Sequence, residues 1–211
     1  MVKVNNFFNS ISGEISPYNQ GCLTTFVRLS GCPMNCKYCD TNHKRYELLS
    51  LGDLVNRTKN LYSHTNRLCI TGGEPLLQTL AVMELIDCFS NSWIETSGVI
   101  LFGPYVGKTS LVVDYKLDIR MKRGYHCETS VEDYLCLSKR DFIKFVIGSQ
   151  KEFMEFKEVY KYLKQNGCKA TISVSPIHTI VKPSELVKWC YDENINEVVL
   201  NVQLHKMIGL P

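Results

Sequence analysis

With 211 residues, 45% hydrophobic and 21% charged, the chain has the make-up of an ordinary globular protein with apolar mass enough for a sizeable core. Its net charge of +3 is too small to argue for a nucleic-acid partner, and no apolar run approaches the ~18 residues of a membrane span. Met1 to Ser10 lacks the long apolar core of a signal peptide, so the expectation is a cytoplasmic protein whose residues 1–211 form one domain.

Apolar, β-branched runs predict strands at Thr24–Leu29, Arg67–Thr71, Ser92–Thr96, Ser110–Tyr115, Asp141–Ile147, Ala170–Val174 and Glu197–Val202. Between them, Ser50 caps a predicted helix over Leu51–Asn60, and Pro75 opens one running to about Phe89. Gln150–Gln165 puts Phe153, Phe156, Val159, Tyr160 and Leu163 on one stripe, with Gly167 as its stop, and Pro183 opens a last helix to about Asp192. Repeated strand–helix units predict an α/β fold with a parallel sheet covered by helices, in which functional residues gather at the carboxyl ends of the strands. Four candidate motifs fall there: the cysteine loop 31–41 after the first strand, Thr71-Gly72-Gly73-Glu74 after the second, Thr96-Ser97-Gly98 after the third and Asp114-Tyr115-Lys116 after the fourth. The basic stretch Lys116–Thr129, with Arg120, Lys122 and Arg123, reads as an exposed loop.

Cys32, Cys36 and Cys39 form a Cys-x3-Cys-x2-Cys run. Thiolates at such spacings hold iron–sulfur clusters, and three local thiolates leave one iron of a cubane open to a small molecule. A structural zinc site usually wants four ligands, and His43 is the one histidine nearby. A redox dithiol from Cys36 and Cys39 is the other alternative. The remaining seven cysteines (Cys22, Cys69, Cys88, Cys127, Cys136, Cys168, Cys190) are scattered. Most lie in apolar stretches, as free thiols of a reducing compartment do, while Cys127 and Cys136 are ordinary thiols in a polar stretch.

The cysteine spacing with its missing fourth ligand resembles the radical S-adenosylmethionine (SAM) enzymes. In these the open iron chelates SAM and the reduced 4Fe–4S cluster cleaves it to a 5′-deoxyadenosyl radical. Gly72-Gly73-Glu74 matches the superfamily motif that holds the SAM amino group, with Glu74 as a candidate acceptor. Taken in order, Ile11-Ser12-Gly13-Glu14, Phe26-Val27-Arg28-Leu29, Cys39-Asp40-Thr41, Glu95-Thr96-Ser97-Gly98 and the terminal Gln203–Pro211 segment resemble the 7-carboxy-7-deazaguanine synthase family. The resemblance runs from about residue 7 to the C-terminus, more loosely in the middle third.

That resemblance implies an incomplete α/β barrel and a lyase of deazapurine (queuosine-type) biosynthesis. The family converts 6-carboxy-5,6,7,8-tetrahydropterin to 7-carboxy-7-deazaguanine with loss of ammonia, using a 4Fe–4S cluster, SAM and magnesium. It implies the cluster on Cys32, Cys36 and Cys39, and magnesium on Thr41. The substrate falls to Ile11, Ser12, Gly13, Glu14, Arg28, Thr71 and the terminal carboxylate of Pro211. SAM falls to Tyr38, Cys39, Asp40, Gly72, Gly73, Glu74, Asp114, Tyr115, Lys116, Ser175 and Pro176. A homodimer and a low-potential donor, flavodoxin or ferredoxin, follow from the same resemblance. His205 reads as a packed or capping residue. The chain departs from the family at Ser12, where a glutamine is usual, at Asp114-Tyr115-Lys116 in place of Ser-Pro-Lys, and at Ser175-Pro176 in place of Gln-Pro. Two alternatives keep the cluster: an activating enzyme that makes a glycyl radical on a partner protein, and an electron-transfer protein, in which the Gly-Gly-Glu motif has no purpose. A zinc module binding nucleic acid ranks last, because the basic residues are spread along the chain.

Overall fold

Side-chain alternation along the strands builds two different cores on the two faces of one sheet. The structure, a computed structural model, describes residues 1–210 apart from 35, 37, 38, 40, 43, 44 and 118–126. The strands are β1 (Val2–Ile11), β2 (Leu23–Leu29), β3 (Glu47–Leu49), β4 (Leu68–Gly72), β5 (Ser92–Thr96), β6 (Ser110–Asp114), β7 (Phe142–Ile147), β8 (Thr171–Pro176) and β9 (Val199–Leu200). Among the described residues they form one sheet in the order β3-β1-β2-β4-β5-β6-β7-β8-β9. From β2 onward neighbours are parallel, and β1 is antiparallel to both β2 and β3.

On the outer face, Val27, Leu29, Leu68, Ile70, Ile94, Leu111, Val113, Ile143, Phe145, Ile147, Ile172 and Val174 join the large core. Helices Leu51–Tyr62, Thr79–Cys88, Gln150–Gln165 and Pro183–Asp192 add Leu54, Leu85, Phe156 and Leu186 to it. The residues between these point inward. Phe26, Cys69, Trp93 and Val112 form a smaller cluster with Ile15, against which Phe8, Tyr18 and Phe142 pack. Side chains of this inner face, from Phe8 on β1 to Ser175 on β8, line one cavity of about 950 Å³. The sheet therefore curls into an open half-barrel, apolar at the bottom and hollow at the top.

Every helix expected from the sequence is present. Ser50 caps the first, accepting from Asp53 N at 3.0 Å. Gly167, at φ +73°, ends the helix Gln150–Gln165: Cys168 N donates to Leu163 O at 3.0 Å and Gly167 N to Lys164 O at 3.2 Å, the glycine-terminated helix end. After Pro75 the chain first makes a 3₁₀ turn, Pro75–Gln78, and the α-helix starts only at Thr79. Gln78 explains the break: its side chain accepts from Lys3 N and donates to Lys3 O and Ser30 O, bracing β1 against the end of β2.

The ten-residue β1 has no counterpart among the expected strands. Its polar positions Asn5, Asn6, Asn9 and Ser10 hide the alternation, and pairing with β2 and β3 makes it a strand. All ten cysteines are free thiols; Cys69 and Cys190 are buried, and Cys88 and Cys136 are exposed. No described helix is long and apolar enough to cross a membrane.

Phe156 is fully buried, packed against Phe145 and Phe153 with ring centroids at 4.8 and 5.7 Å. Phe156→Ala is expected to lower the unfolding free energy by about 3–5 kcal/mol, read as a lower midpoint in a denaturant titration. A shift under ~1 kcal/mol would show that the outer core does not depend on this ring.

Candidate active site

Two positions further along each strand, the apolar floor gives way to a polar layer. Phe26 is followed by Arg28, Cys69 by Thr71, Trp93 by Glu95, Val112 by Asp114, and Phe142 by Lys144. The parallel register keeps them on one face: Phe26 pairs with Cys69, Arg28 with Thr71, Cys69 with Trp93, and Asp114 with Lys144. All five polar residues line the cavity, as do Ser175 and Pro176 from β8.

Lys144 stands at the centre of this layer. Its Nζ lies 2.6 Å from Glu14 Oε2 and 3.1 Å from Asp114 Oδ1. Asp114 also pairs with Lys116, and Glu14 Oε1 accepts from Gln203 Nε2 at 2.8 Å. Burial opposes the charge on Lys144, but Asp114, Glu14 and Glu95 hold its pKa well above the ordinary value. Burial likewise opposes ionisation of Glu14, yet the Lys144 ammonium and the hydrogen bonds from Lys144 and Gln203 bring its pKa down to about 2. Glu95 goes the other way: burial raises its pKa, Lys144 lowers it, and Glu14 and Asp114 raise it again. Arg28 lies with its guanidinium carbon 5.1 Å from the centre of the Phe8 ring, and its buried Nε has no acceptor.

Gly13 and Ile11 also face the cavity. A Cβ on Gly13 would fall 1.8 Å from His205 Nδ1, so glycine is required for His205, itself a cavity-lining residue, to pack there. Gly13 O accepts from Leu204 N and from Gln20 Nε2, each at 2.8 Å. These bonds lay the terminal helix Leu204–Met207 against the segment after β1.

Cys32, Cys36, Cys39 and Thr41 open onto the same cavity. Burial, with Glu74, Cys36 and Cys39 nearby, pushes the Cys32 thiol up to about 11. Such a thiol stays protonated at neutral pH until a metal takes the place of its proton. Among the described residues no three His, Cys, Asp or Glu side chains converge on a single ion. Three thiols opening onto one cavity suit a polynuclear cluster, each bound iron taking one thiolate. His43, the histidine of the zinc alternative, lies outside the described residues.

Gly72 and Gly73 line the cavity, and their lack of a side chain serves backbone packing. A Cβ on Gly72 would fall 2.1 Å from Leu29 O, and one on Gly73 2.3 Å from Gly31 O. Without them the chain presses close: Gly73 N donates to Leu29 O at 3.0 Å and Glu74 N to Gly31 O at 2.8 Å.

Three of the expected contact residues do not line the cavity. Glu74 is fully buried and does not line the cavity; its carboxylate accepts from Thr96 Oγ1 (2.8 and 2.9 Å), Ser97 N (2.8 Å), Ser97 Oγ and Leu76 N (3.0 Å). It ties the Gly-Gly turn to the end of β5. Tyr115 follows an inward residue and so turns outward, its ring 5.2 Å from both Phe145 and Tyr134 in the outer core. Ser12 is buried, its Oγ donating to Glu14 O at 3.2 Å, away from the cavity. Tyr38, Asp40 and Pro211 lie outside the described residues. Sequence reasoning missed Lys144 and Gln203, and gave Glu95 no role. The available signal was a lysine at an inward position of the apolar run Phe142–Ile147.

The Glu14 shift has a defined sign. A carboxylate with a folded pKa of about 2 against an ordinary 4.5 adds stability that is complete above about pH 5 and lost as pH falls toward 2. With both proteins cluster-free, the difference in unfolding midpoint between wild type and Glu14→Gln is expected to shrink through that window. A difference that does not change with pH would mean that Glu14 is not held by Lys144. Removing the cation alone, in Lys144→Met, leaves Glu14 without a cation and Asp114 with Lys116 alone, and is expected to cost about 3–5 kcal/mol in a denaturant titration.

Residues 26–102 match the model of the radical SAM superfamily. The fold superimposes on the crystal structure of QueE from Escherichia coli with a TM-score of 0.70, at 23% identity, over 96% of this chain and 93% of that one. The chain is 31% identical over 219 positions to the 7-carboxy-7-deazaguanine synthase of Methanospirillum hungatei, spanning 100% of this chain and 86% of that protein. To the 7-carboxy-7-deazaguanine synthase of Clostridium acetobutylicum it is 31% identical over 222 positions, spanning 99% and 96%. Likeness at this level along nearly the whole of both chains places the protein in the 7-carboxy-7-deazaguanine synthase family of radical SAM enzymes.

Proposed function

We propose that the protein converts 6-carboxy-5,6,7,8-tetrahydropterin to 7-carboxy-7-deazaguanine, releasing ammonia. The observation that carries this reading is the meeting, in one cavity, of three thiols with a layer of fixed charges. An electron-transfer protein has no use for such a layer.

When bound, the cluster and SAM supply a carbon-centred radical that removes a hydrogen atom from the substrate. The chain supplies position, charge and shelter from water. Cys32, Cys36 and Cys39 would hold the cluster. The backbone of Gly72 and Gly73, beside them, is the surface for the SAM methionine end. Asp114, Lys116, Ser175 and Pro176 line the wall for the rest of SAM. Arg28, with a buried Nε that lacks an acceptor, takes the substrate carboxylate through its planar fork. Thr41 offers magnesium one neutral oxygen, a donor that suits a hard ion keeping several waters and a substrate carboxylate. Lys144 keeps Glu14 ionised, and Glu14 with Ile11, Gly13 and Thr71 presents a polar wall to the ring. A low-potential flavodoxin or ferredoxin, a homodimer and a cytoplasmic setting complete the reading. The first two rest on family likeness alone, and the last agrees with ten free thiols.

The test is anaerobic: reconstitute with iron and sulfide, reduce, add SAM, magnesium and the pterin, and seek 7-carboxy-7-deazaguanine by mass spectrometry. Cleavage of SAM without product would move the substrate to another class; no cleavage by a loaded cluster would return the chain to electron transfer. Cys36→Ala is expected to abolish both the cluster absorbance and SAM cleavage, and a variant that keeps either one removes Cys36 from the cluster.

A further inference from the structure

One buried side chain that does not face the cavity reaches two of its walls. Asn201 directly follows β9, the strand at one edge of the sheet. It is buried and does not line the cavity. Its backbone N donates to Val174 O at 2.9 Å, which seats it beside Ser175 on β8. Its Oδ1 accepts from Ile15 N at 2.8 Å, and its Nδ2 donates to Ser175 Oγ at 2.7 Å. Ile15 is next to Glu14 in the segment after β1. One amide therefore ties the wall at β8 to the wall at Glu14, across 186 residues of sequence.

This chain of bonds can run in only one direction. A backbone N–H can only donate, so the amide oxygen of Asn201 faces Ile15 and its nitrogen faces Ser175. The amide NH2 can only donate in turn, so the Ser175 oxygen accepts. A serine hydroxyl has one proton, and Asn201 does not take it. No other described residue accepts it. Ser175 is buried and lines the cavity. A free hydroxyl rotates among partners, but one whose oxygen is engaged from behind keeps its proton forward. Ser175 is thus held as a donor, and it calls for a ligand atom with a lone pair.

We propose that Asn201 is a positioning residue for SAM: it holds Ser175 as a hydrogen-bond donor toward an acceptor atom of the nucleoside, a ring nitrogen or a sugar oxygen. The inference rests on the assignment of Ser175 to the SAM wall and adds a residue behind that wall. Because the same amide holds the backbone beside Glu14, one group sets the SAM wall and the substrate wall relative to each other.

The experiment measures binding, by equilibrium dialysis of SAM against anaerobic, cluster-loaded protein left unreduced so that SAM is not cleaved. Wild type, Ser175→Ala, Asn201→Leu and the double variant form a cycle, with iron content and circular dichroism reporting loading and folding. Ser175→Ala is expected to raise the Kd for SAM about 3- to 10-fold, the worth of one neutral hydrogen bond. Asn201→Leu leaves the hydroxyl in place but unheld, and is expected to raise it by about 3-fold or more. In the Ser175→Ala background the same substitution is expected to change it by less than about 2-fold. An equal loss in both backgrounds marks a merely structural role and overturns the proposal, as does wild-type affinity in either single variant. Where Asn201→Leu does not load a cluster, Asn201→Asp takes its place in the cycle. Its carboxylate still accepts from Ile15 N but draws the Ser175 proton away from the cavity, and the same pattern is expected. A loaded wild type that does not bind SAM overturns the SAM reading of the cavity itself, a result distinct from the others.

Discussion

The inner layer depends on the burial of one ammonium group. Lys144 leaves water at the centre of a strand whose flanking residues are apolar, a transfer that costs several kcal/mol unless close anions offset it. The anions come from far along the chain: Asp114 from β6 next door, and Glu14 from the connection after β1, 130 residues away in sequence. Pairing of this kind contributes little net stability over a well-packed apolar alternative. What it does fix is geometry, since neither acid can move without leaving the lysine short. Glu14 in its place sets Gly13, and Gly13 sets the approach of Leu204 and His205. A single cation thus aligns the start of the chain, the middle of the sheet and the C-terminal segment around one cavity.

The floor beneath makes that layer possible. Phe26, Cys69, Trp93 and Val112 close the bottom of the half-barrel, so the charges above face a low-dielectric floor and act more strongly than they would in water. Most of the polar groups are satisfied within the layer. The Arg28 Nε has no acceptor, and the Glu95 carboxylate, two strands away on the same level, is held by Thr71 and Cys69. A buried donor kept without an acceptor weakens the empty protein, and a molecule that brings a carboxylate relieves it.

Much of this was legible in the sequence because it rests on short-range rules. The helix Gln150–Gln165 follows from its stripe, its serine cap and Gly167. The rim position of the cysteines and of Gly72-Gly73 follows from where parallel strands end. What was not legible depends on long-range partners. β1 reads as a polar stretch until β2 and β3 pair with it. Lys144 reads as one more surface lysine until Glu14 and Asp114 are brought to it. Tyr115 and Asp114 are neighbours in the same motif, yet strand alternation sends one into the outer core and the other into the site. That opposition was available from the period of the strand, and a motif taken as a block concealed it.

Glu74 and Ser12 carry the same lesson about motifs. Both belong to segments that line the cavity, and both turn away from it, holding their neighbours in place. Glu74 is a buried carboxyl whose pKa burial raises, and it accepts from four donors on Leu76, Thr96 and Ser97. Loss of its carboxylate would free the end of β5 from the Gly-Gly turn. The cysteine loop is held in the same indirect way. Asn5 donates to Asn42 O at 2.8 Å and Arg45 O at 2.7 Å, Ser30 donates to Arg45 O at 3.2 Å, and Gln78 spans Lys3 and Ser30. These bonds fix where the loop leaves β2 and where it rejoins β3, and none comes from a residue that faces the cavity. The two ends of the loop that carries the three thiols are therefore held by side chains outside the site, two amides and a hydroxyl.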